Sequence, residues 1–263
     1  MFWQKQTSGA PLFPDLLWSR PENRTQAGKL LIIGGNGFGF AAPAEAYGEA
    51  NKAGIGVAQV LLPDALRRTV GKVLEAGDFA ASTPSGSFSQ KALTELLAHS
   101  EWADGVLLAG DMGRNSETAV LLEKFIESYY GQLMLTKDVA DYFTAAPERL
   151  LKRPETTLVI SFAQLQKLAI NGKFSRVFTF DIGIIKLVEL LHEFSSEFPV
   201  NVVVKHLDSI FVAVNGKVSS TKLTEDQEIW RVKTAAHASV WWLQTPSKPF
   251  ESLTTSVYES LTV

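Results

Sequence analysis

Between residues 29 and 62 the chain carries an apolar run, Lys29-Leu30-Leu31-Ile32-Ile33, then a glycine cluster, Gly34-Gly35-Asn36-Gly37-Phe38-Gly39, then an alanine-rich stretch and a second apolar run, Val57 to Leu62. Nearly continuous apolar runs of this length fit strands buried on both faces, the condition of a parallel sheet covered by helices. The stretch between them, about Ala41 to Lys52, is then the crossover helix of a βαβ unit.

The alternation continues downstream. Pro63-Asp64 suits a helix start, because proline fits a first turn and aspartate accepts its free amide protons. Strands are expected at 105–108, 132–135 and 157–160, and helices at 89–99, 117–129 (capped by Ser116) and 163–169. Apolar residues at helical spacing (Ile184, Leu187, Val188, Leu190, Leu191) mark a helix from 184 to 197. A strand at 199–204 follows, then a hairpin from Ser209 to Val218 through Asn215-Gly216, the strongest short hairpin signal. Helices at about 227–243 and 250–261 close the chain. The expected fold is a three-layer α/β/α sandwich with a mostly parallel central sheet and helices on both faces. Residues 1–28, punctuated by proline, form an irregular N-terminal arm, and residues 29–263 form one domain.

Composition narrows the chemistry. The chain has 263 residues, a formal net charge of -3 and no cysteine, which excludes disulfides and thiolate nucleophiles. Its basic residues do not cluster, so nucleic acid is not an expected partner. No apolar run approaches the roughly 20 residues of a membrane span, and Met1 to Gln6 lacks a signal-peptide core, so no membrane partner and a cytoplasmic location are expected. His99, His192, His206 and His237 occupy separate segments without metal-ligand spacing, and no metal site is expected.

Three strand-end segments carry the candidate ligand contacts. Gly34, Gly35, Asn36 and Gly37 are either an anion-accepting turn or a tight structural one, and Asn36 either caps the following helix or meets a substrate amide. The carboxylate of a dinucleotide fingerprint and the lysine and hydroxyl of a P-loop are both missing. Gly110, Asp111 and Gly113, followed by Arg114, form a second glycine turn, which could face the same crevice as the first. Lys205 ends the strand before His206 and Asp208, where it could reach an anion while the other two form an orienting pair. Trp230, Trp241 and Trp242 read as core or interface packing, and His237 as a packing residue.

The order of these segments resembles the ribokinase-like superfamily over residues 24–261, and within it the ATP/ADP-dependent NAD(P)H-hydrate dehydratases. Gly34-Gly35-Asn36, Phe40-Ala41-Ala42 and Ala53-Gly54-Ile55-Gly56 look like that family's first three motifs. Ala109-Gly110-Asp111-Met112-Gly113 looks like its Gly-Pro-Gly-Leu-Gly turn. Thr136 to Asp141 resembles its Asp-Ala-Asp-Ala-Leu-Asn stretch, with Asp138 as the retained acid, and Lys205-His206-Leu207 resembles its Lys-Gly-Ala. Ile160 to Leu165 replaces its Thr-Pro-His-Pro-Gly-Glu motif, and Trp230-Arg231-Val232-Lys233 replaces the Gly-Thr-Gly-Asp turn, with Lys233 where the family has its catalytic aspartate.

The resemblance implies a diverged, catalytically impaired homologue that retains a cleft for a nucleotide, an NAD(P)H-derived ligand or another anion, with ATP or ADP and Mg, or nothing, bound. An active dehydratase or small-molecule kinase would need substitutes among Asp138, Glu225 and Asp226. A third reading is a non-enzymatic interaction protein, assembled as a homo-oligomer through the aromatic C-terminal helices.

Overall fold

The computed structural model describes residues 2–7, 9–70, 77–223 and 230–262. Ten strands form one sheet: β1 (Trp3–Gln6), β2 (Lys29–Gly34), β3 (Val57–Pro63), β4 (Gly77–Ala80), β5 (Gly105–Gly110), β6 (Gln132–Thr136), β7 (Thr156–Ile160), β8 (Asn201–His206), β9 (Ser209–Val214) and β10 (Lys217–Lys222). Their order across the sheet is β1-β10-β9-β8-β7-β6-β5-β2-β3-β4. From β8 to β4 every neighbouring pair is parallel. The hairpin β9–β10 then adds two antiparallel pairings.

The apolar runs are buried on both faces, as a doubly covered sheet requires. Along β2, Leu31 and Ile33 enter one core cluster with helices 93–102, 116–128, 162–171 and 184–197. Leu30 and Ile32 enter the other, with helices 41–52, 231–244 and 249–262. The result is the three-layer α/β/α sandwich. Asn215 and Gly216 both take positive φ at the hairpin turn.

Several local expectations are corrected. Within residues 1–28 the arm is not wholly irregular: β1 pairs in parallel with β10, and residues 14–18 form a short helix. The cap of helix 116–128 is Asn115, whose side chain accepts from the Glu117 N–H; Ser116 already lies inside the helix. Trp241 and Trp242 are 1% and 3% exposed, so they fill the interior and offer no assembly surface. Among the described residues no helix is long and apolar enough to cross a membrane.

Candidate functional site

From β2 the chain proceeds outward to β3 and β4, whereas from β5 it proceeds in the other direction through β6 and β7 to β8. The carboxyl ends of β2 and β5 therefore flank a topological switch point, where open α/β sheets leave a crevice for ligands. Here the two glycine turns meet. Gly34 lies opposite Gly110 across a register shift, and the Gly35 N–H donates to the Gly110 carbonyl at 3.0 Å. A Cβ on Gly34 would stand 2.6 Å from that carbonyl oxygen, so the approach needs glycine.

Both turns spend their amides internally. The Asn36 N–H donates to Gly39 O and the Gly37 N–H to Gly86 O, while the Phe38 N–H donates to Asn36 Oδ1. The first turn is therefore a tight structural one whose donors are already engaged. Asn36 does not cap helix 41–52; its amide nitrogen donates to Asp111 O at 2.6 Å. Asp111 caps that helix from across the switch point, its Oδ2 accepting from the Ala42 N–H at 2.7 Å. In the second turn, Asp138 Oδ1 accepts from the Asp111 N–H at 2.7 Å and Oδ2 from the Gly113 N–H at 3.2 Å. An aspartate thus occupies the place an anion would take in a nest of amides. Burial raises its pKa, although the backbone amides of Asp111, Asp138 and Met112 favour its charged form.

A charged group completes the centre. Lys137 Nζ meets Asp111 Oδ1 at 2.7 Å, with the side chains 32% and 21% exposed. Both residues sit at positive φ, 53° and 57°. Left-handed non-glycine residues gather at functional or strained places. Glu45 feels both charges, and its pKa is raised by burial first and by neighbouring Glu49, with Lys137 opposing. On the β7 side, Ser161 and Gln164 form a full capping box. The Gln164 side chain also donates to Lys137 O at 2.7 Å and to Asp141 Oδ1 at 2.9 Å, and accepts from Arg231 at 3.3 Å. Arg231 opens helix 231–244, whose first turn has no side-chain cap. Behind it, His237 bonds Glu49 at 3.2 Å, and Lys52 holds the other Glu49 oxygen at 2.6 Å.

No family model matches this chain, and no curated protein matches it. Solved structures do. One described as a ribokinase-like superfamily protein of Enterococcus faecalis is 13% identical, covering 100% of this chain and 87% of its own, at a TM-score of 0.76. The fold is ribokinase-like.

Other structural neighbours are described by different chemistry. The ADP/ATP-dependent NAD(P)H-hydrate dehydratase of Bacillus subtilis, co-crystallised with ATP/Mg2+, is 10% identical at a TM-score of 0.64, covering 96% of this chain and 87% of its own. A pyrophosphate-dependent kinase in the ribokinase family is 9% identical at 0.51, covering 89% and 95%.

Of the expected site residues, Gly34, Gly35, Asn36, Gly37, Gly110, Asp111, Gly113 and Asp138 come together at this ribokinase-like switch point. Lys205 stands at the end of β8, four sheet positions from β2. His206 and Asp208 form no pair: His206 bonds Ile182 O at 2.9 Å, and Asp208 faces Lys222 and Ser209. Glu225 and Asp226 lie outside the described residues. Lys137, Gln164 and Arg231 lie in segments that the resemblance matched to family motifs, but neither they nor Glu45 were named as site residues; Gln164 also carried the Ser-x-x-Gln spacing of a capping box. Among the described residues no group of three or more His, Cys, Asp or Glu side chains could hold a metal ion.

Proposed function

We propose that this chain is a diverged, catalytically impaired relative of the NAD(P)H-hydrate dehydratases whose strand-end crevice binds a phosphate-bearing anion, a nucleotide or pyrophosphate, without transferring a phosphoryl group. One observation carries this reading: helix 231–244 begins Arg231-Val232-Lys233, with no side-chain cap on its first turn and Arg231 tied through Gln164 to Lys137. A helix N-terminus with basic side chains favours a bound anion. A cation where a general base should stand removes the proton acceptor of a phosphoryl-transfer site. Titration calorimetry with ATP, ADP and pyrophosphate, with and without Mg2+, is expected to show binding that weakens at least tenfold in Lys137→Met and Arg231→Met. Hydrated NADH is expected to persist in the presence of ATP or ADP. Dehydration that depends on nucleotide and disappears in an Asp138→Asn variant would sink the reading.

A second reading, an active enzyme, is favoured by Glu45, a carboxyl of raised pKa facing Lys137 and Asp111. It requires turnover that Glu45→Gln abolishes.

A further inference from the structure

On the other side of Asp138 the loop after β5 opens into a cavity of about 660 Å³, lined by Arg114, Asn115, Asp138, Asp141, Tyr142 and Lys167 among others. Small-molecule sites of this kind span roughly 300–1,000 Å³. The walls come from helices 116–128 and 162–171, which belong to the helical layer opposite helices 41–52 and 231–244. The cavity adjoins the switch-point crevice at Asp138, and Gln164 links its Asp141 to Lys137 and Arg231.

Its chemistry is polarised. Arg114 and Lys167 supply two cations, and among the described residues no carboxylate lies within ion-pairing distance of either. Asp138 and Asp141 supply acceptors. Asp138 is largely engaged by backbone amides, whereas Asp141 takes Gln164 on its Oδ1, and a carboxylate has about four lone-pair positions. Tyr142 is fixed between Gly113 O at 2.7 Å and the Asn115 N–H at 3.3 Å, and this braces the wall between cations and acids. A dianionic head would be matched by the two cations. Hydroxyl or ammonium donors on the same molecule would be matched by the free acceptor positions of the acids.

We propose that this cavity is a second binding site, for a small phosphomonoester that also carries hydroxyl or ammonium donors. Its lining is separate from Lys137 and Arg231, which carry the anion site proposed at helix 231–244. The test titrates the full chain with inorganic phosphate, glycerol 3-phosphate and phosphoethanolamine. Both organic esters, or the one whose donor suits the acids, are expected to bind at least tenfold more tightly than inorganic phosphate. The double variant Arg114→Gln/Lys167→Gln, altered only at exposed side chains, is expected to loosen that binding at least tenfold with an unchanged melting temperature. Asp141→Asn is expected to loosen the esters and leave inorganic phosphate unaffected. Lys137→Met, which acts on the crevice, is expected to change ester affinity less than twofold while weakening ATP, so the two sites fail separately. Absence of ester binding at millimolar concentration overturns the proposal, as does ester binding that the double variant leaves intact or that Lys137→Met abolishes.

Discussion

Asp138 behaves as an internal ligand. Removing it leaves the part-buried amides of Asp111 and Gly113 without their acceptor, and unsatisfied donors cost up to about 1–3 kcal/mol each when fully buried. Asp138→Ala is expected to lose stability on that scale and to regain part of it in formate, a free carboxylate of the right size; urea unfolding with and without formate reads both effects, and formate stabilising the unmutated chain equally would count against it. His237 gives a second prediction at this scale. It is 1% exposed, and burial, only partly opposed by Glu49, lowers its pKa to about 4. The folded imidazole stays neutral until pH falls to about 4, whereas an unfolded one takes its proton near 6.5. Between these values the unfolded chain binds the additional proton, so stability drops as pH falls. The contribution is on the order of 3 kcal/mol across the window. Urea midpoints at pH 7 and pH 4.5 are expected to separate more widely in the natural chain than in His237→Gln.

Elements built on local pattern were legible, and elements built on distant pairing were not. The apolar runs of β2, β5, β6 and β7 and the periodicity of helix 184–197 are properties of a few consecutive residues. Trp3-Gln4-Lys5-Gln6 has no such pattern; it is a strand because β10 accepts it and because the Gln6 amide donates to Thr221 Oγ1 and Thr254 O at 3.0 Å each. The site divides in the same way. The glycine turns announce themselves, whereas the meeting of Lys137, Glu45, Gln164 and Arg231 depends on four elements being placed by the sheet. That placement rests on the close approach of β2 and β5. Gly34→Ala would force its Cβ against backbone at 2.6 Å, and overpacking of this kind costs about 1–3 kcal/mol. The expected result is a lower urea midpoint together with weaker anion binding at Lys137; an unchanged midpoint would show that the strand ends can part freely.

At the scale of the whole molecule the sheet has two edges, β1 and β4. Taking away residues 2–6 would uncover β10, whose Val218 and Ser219 are fully buried, and would strip acceptors at Thr221 and Thr254 of their donor. A melting temperature lower by on the order of 5–10 °C is expected, given about 2–4 °C per kcal/mol for a chain of this size. Light scattering should rise as well, since an unpaired strand edge invites association. Calorimetry that finds the shortened chain as stable as the full one would show that β1 adds nothing to the sheet. The pairing has another consequence, in time rather than in energy. Gln6 and Thr221 are 215 residues apart in sequence, so β1 is synthesised long before the strand it pairs with. The β1 edge of the sheet can close only once β10 has been made, whereas β2 and β3, much closer in sequence, can pair earlier.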